Sequence, residues 1–262
     1  MMNILSWLVA LLSCIIGTIC GMGGGIIIKP VLDATGMLSV STITFLSGCT
    51  VIAMTCWNMG KTVWHREFDV RIRMTTILAV GAALGGLAGK ELYTIVESLF
   101  TDRNTAGGVQ AILLFAATFG TFLYTYWKDK IPPKKVESNA LALLLGIGLG
   151  MLGAFLGIGG GPFNVAVLCY FFSMSTKKAA QNSLYIILFS QLASTLKTAI
   201  TQGIPEFPLC MLIGMILCAI VGNEVGRRIN KKLNDQKATL CLEGIMIVIM
   251  MINVYDAVKY LR

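Results

Sequence analysis

The chain has 262 residues, 56% hydrophobic and 13% charged, with a formal net charge of +8 and a mean hydropathy of +0.77. A soluble globular domain carries about 25% charged residues, and so few charges cannot cover this much apolar surface in water. The class is an all-α polytopic integral membrane protein, read as one transporter domain over 1–262.

Charge-free runs mark the spans in chain order. The first, 1–28, lacks the positive n-region of a cleavable signal peptide and is expected to be retained. Runs follow at 34–60, at 74–89 continuing past Lys90 to about 100, and at 104–127. The run 138–176 is far too long for one span of about 20 residues. Then come 179–196, 207–223 and 238–260, the last containing Glu243 and Asp256. The two overlong regions, around 1–35 and 138–174, must each fold back as a glycine-broken hairpin. That gives eight full spans if the hairpins are re-entrant, or about ten segments if they cross.

Basic residues concentrate in four segments: Lys61 to Arg73, Lys128 to Lys135, Lys177 with Lys178, and Arg227 to Lys237. Lys and Arg collect in cytoplasmic loops, so these four are predicted inside and both termini outside. The positive charge is thereby explained without nucleic acid, for which no binding motif is present. Eight cysteines without C-x-x-C and a single histidine, His65, leave little for zinc or nucleophilic catalysis. No cofactor or metal is expected, and the chain is not read as an enzyme.

The halves resemble each other. Gly17-x-x-x-Gly21-x-Gly23-Gly24-Gly25 recurs as Gly153-x-x-x-Gly157-x-Gly159-Gly160-Gly161, and in the same register Ser47 falls on Ser183. Gly85-x-x-x-Gly89-Lys90 recurs as Gly222-x-x-x-Gly226-Arg227. The span after the first glycine cluster ends at a basic loop, whereas its counterpart begins at one. The repeats, 1–130 and 138–262, are therefore predicted to be inverted, a transporter signature in which interrupted segments point to the substrate site.

Clustered glycines disfavour continuous helix by about 1 kcal/mol each relative to alanine, so the helix is expected to break at both G-x-G-G-G runs. Pro162, directly after the second, suits the first turn of a new helix. Helix N-termini with bare glycine amides admit anions closely. The candidate substrate-binding residues are accordingly Gly23, Gly24, Gly25, Gly159, Gly160, Gly161 and Asn164, with Ser47, Gln181, Asn182 and Ser183 as neutral polar groups on the following spans. Lys29 joins them as a source of positive potential. Bland readings stand beside these. Gly81, Gly85, Gly89, Gly222 and Gly226 read as small-residue packing sites, and Ser and Thr often bond only their own helix. Lys29 has the alternative of snorkelling outward to pair with Asp33. Glu224 is expected to pair with Arg227 and Arg228. Glu243 and Asp256 read as interfacial, and no carboxylate pair stands out deep in the membrane.

Taken together, these residues resemble the TauE/SafE sulfite-exporter-like membrane transporters. Gly21-Met22-Gly23-Gly24-Gly25 followed by Pro30 fits the family pattern. Gly157-Ile158-Gly159-Gly160-Gly161 fits its glycines, with Ala166 where the proline stands. Arg66-Glu67-Phe68-Asp69 is similar to the family's cytoplasmic R-x-x-D loop, whereas Lys29 replaces a usually apolar residue. The resemblance implies a multi-pass cell-membrane transporter exporting a small sulfur-containing oxyanion, sulfite or an organosulfonate. Its partners would be that anion, the bilayer and, as one option, a second copy in a homodimer. An inside-negative potential favours anion exit by about 2.3 kcal/mol per 100 mV, so export needs no coupling ion. The alternative is a proton-coupled importer of a small organic anion.

Overall fold

A computed structural model of the chain describes residues 2–36, 38–64, 72–100, 103–158, 160–201 and 203–261. Among them are ten α-helices and no strand: α1 (Met2–Cys20), α2 (Gly25–Thr35), α3 (Val40–Trp64), α4 (Ile72–Leu99), α5 (Arg103–Trp127), α6 (Asn139–Phe155), α7 (Pro162–Phe172), α8 (Thr176–Thr201), α9 (Leu209–Lys232) and α10 (Asp235–Leu261). Six of them, α1, α3, α5, α8, α9 and α10, are long and apolar enough to cross a membrane by length and composition. Helix α4 has 28 residues but carries Lys90, Glu91 and Glu97, α6 has 17, and α2 and α7 have 11 each. Both overlong regions fold back as expected, as α1–α2 and as α6–α7. The outward faces present Leu8, Leu12, Leu84, Leu144, Ile213 and Leu217, which is where a bilayer-embedded fold leaves its apolar side chains.

Local chemistry sets the helix ends. Ser138 caps α6 by accepting from the Leu141 amide. Pro162 opens α7 where no amide hydrogen is required. Gly36, at φ 65°, closes α2 in the left-handed region. Several hydroxyls satisfy themselves within their helices: Thr50 bonds Leu46 O and Thr55 bonds Val51 O, each at 2.7 Å.

Two long helix pairs are built on glycine. Helices α1 and α9 run parallel: Trp7 Nε1 donates to Met211 O (3.2 Å), Thr18 Oγ1 to Asn223 Oδ1 (2.8 Å) and Asn230 Nδ2 to Ile19 O (2.6 Å). A methyl on Gly222 or Gly226 would stand 2.5 Å from the Leu11 or Ile15 carbonyl. Helices α4 and α6 run parallel in the same manner. Gly81, Gly85 and Gly89 face the Leu143, Ile147 and Met151 carbonyls, and Gly146 and Gly150 return the contact to Leu78 and Ala82. These glycines are packing residues, as the small-residue reading has it.

Between the pairs, α3 and α8 cross the centre antiparallel, with Gly48 against Gln191 and Thr195, and Val51 and Ile187 both beside Gly23. Helix α8 is pinned to α4 by Thr75 Oγ1 donating to Asn182 Oδ1 (2.5 Å) and by the Lys197–Glu91 ion pair. Helices α5 and α10 pack antiparallel, with Lys128 Nζ bonding Thr239 Oγ1 (2.6 Å) at one end and Gly107 against the Tyr260 ring at the other. The first of these ends also gathers Lys177, which bonds Leu233 O at 2.7 Å. The basic segments 128–137, 177–178 and 227–237 therefore share one end of the bundle.

Replacing Gly150 by leucine drives a side chain into the α4 backbone, an overpacking cost of about 1–3 kcal/mol or more. Gly150→Leu is expected to lower the melting temperature in detergent by several degrees. Gly120→Leu, where nothing lies within 4 Å of an added Cβ, leaves it unchanged. Equal melting of the two variants would contradict this packing.

Candidate functional site

Each glycine run begins as a helix C-cap. Gly21 (φ 71°) and Gly157 (φ 70°) take the left-handed conformation. The next amide in each case, Met22 N or Ile158 N, bonds back to Gly17 O or Gly153 O at 3.0 Å. This is the Schellman arrangement, which satisfies the last carbonyls of α1 and α6. It explains why glycine recurs at that position in both halves. Gly21 sits against Ala180 on α8, and Gly157 against Thr44 on α3. Each hairpin thus turns beside the opposite half's central helix.

Beyond the caps the two tips meet. A Cβ on Gly25 would lie 3.1 Å from Ile158 O and Val51 and 3.2 Å from Ser47 Oγ. A Cβ on Gly161 would lie 3.1 Å from Ile26 Cδ1. Gly23 (φ 70°) packs on Val51 and Ile187, and Gly24 against Cys14. Gly160 has φ 154°, which only glycine adopts readily, and a Cβ there would meet Ile187 Cγ1 at 2.5 Å and Asn164 Nδ2 at 2.7 Å. Gly159 lies outside the described residues, as do His65 and the Arg66-Glu67-Phe68-Asp69 loop. The N-termini of α2 and α7 open from these tips, between α3 and α8.

The polar candidates divide. Asn164 and Ser183 are 1% and 0% exposed, and Asn164 Oδ1 and Ser183 Oγ have no hydrogen-bond partner. Buried polar atoms are nearly always paired, and these two, like Thr118 Oγ1 and Ser190 Oγ, are exceptions among the described residues. Ser47 is buried and adjoins Gly25. Asn182 is fully engaged as a strut, its Oδ1 accepting from Thr75 and its Nδ2 donating to Lys178 O at 2.7 Å. Gln181 points elsewhere, into a cavity at the basic end lined by Thr18, Asn58, Arg227, Asn230 and Lys231. That cavity leads toward the first tip, since Ala180 beside Gln181 is the residue Gly21 abuts. Glu224 pairs with Arg228 (3.1 Å) and Arg227 (3.6 Å), as expected.

One reading of charge is corrected and one is extended. Lys29 neither snorkels nor pairs with Asp33. It is 5% exposed, and its Nζ donates to Gln110 Oε1 (2.6 Å) and Leu156 O (3.0 Å). A buried ammonium bonded to the carbonyl of Leu156, the residue that caps α6, complements that helix's negative end, while Gln110 Nε2 bonds the neighbouring Phe155 O. Asp256, near the end of α10, is buried in the fold: it is 3% exposed and lines a cavity with Lys29, Asp33, Gln110, Asn253 and Tyr260. The run that contains Asp256 gave no hint of this, because the partners come from α2 and α5.

The sulfite exporter TauE/SafE family matches residues 6–253. Among curated proteins, the chain is similar to the probable membrane transporter protein YunE of Bacillus subtilis (strain 168), at 21% identity over 93% of this chain and 94% of that protein. It is also similar to the probable membrane transporter protein YdhB of the same organism, at 24% identity over 81% of this chain and 85% of that one. No solved structure matches it. With glycine-broken hairpins packed among long apolar helices and a family match spanning nearly its whole length, the chain belongs to the sulfite exporter TauE/SafE family of multi-pass membrane transporters.

Proposed function

We propose that this transporter exports a small sulfur-containing oxyanion, sulfite or an organosulfonate, by alternating access, with the two halves acting as inverted repeats that rock about the paired glycine tips. The observation that carries the reading is the meeting of the tips, Gly25 against Ile158 and Ile26 against Gly161, beside the unpartnered Asn164 Oδ1 and Ser183 Oγ. Main-chain amides at the starts of α2 and α7, with neutral side-chain dipoles, replace part of the water around an anion.

Helix pairing supports the repeat reading. Helix α1 lies along α9 as α6 lies along α4, each in parallel, and the central α3 and α8 are antiparallel. Two halves of opposite direction would give such a pairing. Gathering of the basic segments at one end supports cytoplasmic placement of that end and external termini. The cavity lined by Gln181, Arg227 and Lys231 then serves as a cationic vestibule through which an anion approaches the tips from inside.

A second reading, proton-linked uptake of a small organic anion, is favoured by the buried carboxylates Asp33 and Asp256. The two readings differ in their driving force. Purified protein in liposomes loaded with sulfite or methanesulfonate is expected to release either anion faster as the interior is made more negative. Flux indifferent to potential but abolished by removing a pH gradient selects uptake instead. Gly160→Leu places a side chain into Ile187 and Asn164 at a glycine-only conformation. It is expected to cut flux at least tenfold while the protein still inserts and purifies. Full activity in that variant would remove the tip from the transport path.

A further inference from the structure

Behind the second hairpin's glycine turn, where Lys29 Nζ bonds Leu156 O and would lie 2.8 Å from a Cβ on Gly157, the bundle holds a group of buried charges that the export reading leaves unused. Asp33 on α2 and Asp256 on α10 are 7% and 3% exposed and face one cavity with Lys29, Gln110, Asn253 and Tyr260. Asp33 Oδ1 and Asp256 Oδ1 are both buried without a hydrogen-bond partner. The cavity leaves about 20 Å³ to water centres, room for about one water molecule. It lies at the end of the bundle opposite the basic segments, where Lys259 caps α2 by bonding Asp33 O and Ala34 O at 3.1 and 3.0 Å.

The ionisable groups around it come from three helices. Helix α2 supplies Lys29 and Asp33, and α10 supplies Asp256, Lys259 and Tyr260. Helix α4 places Lys90, over the Tyr93 ring at 5.3 Å, and Glu97 nearby. Helix α5 contributes the neutral Gly107, Gln110, Ala111 and Leu114, and the cap of α6 contributes Leu156. The Lys29 ammonium is directed at Gln110 and Leu156, and the Lys259 ammonium, on an exposed residue, at main-chain carbonyls. Lys29 balances one carboxylate across the cavity. Lys259 acts on both carboxylates as well, but neither ammonium bonds a carboxylate oxygen, and two ionised carboxylates facing one small cavity repel each other and leave orphaned oxygens, which is costly.

Packing does not require these charges. In the register that aligns the glycine runs, the second hairpin has Val165 where the first has Lys29 and Cys169 where it has Asp33. The same hairpin is therefore built without them. A metal cation would need several oxygen ligands, in a space for one water that it would share with an ammonium. A proton needs only one of the two carboxylates.

We infer that Asp33 and Asp256 together hold one exchangeable proton and that its uptake and release link anion transport by this chain to proton movement. A proton from water at the cavity mouth converts one carboxylate to a neutral carboxyl, and its departure restores the carboxylate with no other bond changed. Because Asp33 is on the α1–α2 hairpin, which carries Gly23, Gly24 and Gly25, the proton and the first tip ride on one element. The link to transport rests on the proposed function, whereas the proton site does not.

Infrared difference spectroscopy on the purified full chain tests the site without any anion. At neutral pH the protein is expected to show a protonated-carboxyl band that shifts in heavy water and is lost in Asp33→Asn/Asp256→Asn. Should the double variant fail to fold, Asp256→Asn alone must lose the band, because Lys29 then balances the remaining carboxylate. Lys29→Met is expected to strengthen the band, since both carboxyls become neutral. In liposomes, methanesulfonate carries no titratable proton of its own, so a pH dye reports the protein's proton. Protons are expected to move opposite to methanesulfonate in the unmodified chain, an exchange that an interior-negative potential still drives toward anion exit, and not in Asp33→Asn/Asp256→Asn. Absence of the band, its survival in the variants, or unchanged proton movement in the double variant overturns the inference. If the band behaves as stated and no anion moves, the transport reading fails and the proton site stands.

Discussion

A polypeptide that breaks its helix inside a membrane must satisfy the freed amides and carbonyls within the protein, because hydrocarbon offers no partner and each orphan costs several kcal/mol. Both hairpins of this chain obey that constraint in the same way. Gly21 and Gly157 fold the last turn of α1 and α6 back on itself, so that Met22 N and Ile158 N take up the Gly17 and Gly153 carbonyls. The carbonyls at the end of α6 receive further donors from outside the hairpin, Leu156 O from Lys29 and Phe155 O from Gln110. What remains, the opening turns of α2 and α7, is enclosed between α3 and α8 rather than exposed to lipid.

Enclosure depends on the outer pairs. Helices can approach closely enough to surround two hairpins only where their backbones touch, and glycine makes this contact on both sides, in α4 against α6 and in α9 against α1. Bilayer lipid supplies no hydrophobic drive for such association, so close packing and buried polar bonds carry it. Thr18–Asn223, Asn230–Ile19 and Thr75–Asn182 are bonds of that kind. Small residues and a few amides thereby hold together the region of the tips, where Asn164 and Ser183 are among the described residues whose buried polar atoms stay unpaired.

Much of this was legible in the sequence. Run lengths identified the hairpins, and the repeated glycines identified where they break, because glycine's conformational cost and freedom are local properties. The same holds for Pro162 and for the Glu224 ion pairs. Asn182 and Lys29 were harder. Their residue types announce polarity inside an apolar run, but whether such a side chain faces a ligand or a neighbouring helix depends on tertiary partners, here Thr75 and Gln110. Asp256 shows the limit most clearly. Its place near a span end suggested an interfacial carboxylate, and nothing in that span told that α2, folding back against α10, buries it. Asp33, four residues after Lys29 on one helix, carried a local trace of that cluster. Asp256 carried none.

The central claim is that the two glycine tips touch one another and must move relative to one another for transport. Ile26→Cys and Gly161→Cys, introduced together after replacement of the native cysteines, place two thiols where the tips meet. The account predicts that mild oxidation joins them, that anion flux in liposomes then stops, and that reduction restores it. Thiols that never couple, or a coupled protein that transports at its full rate, would contradict it.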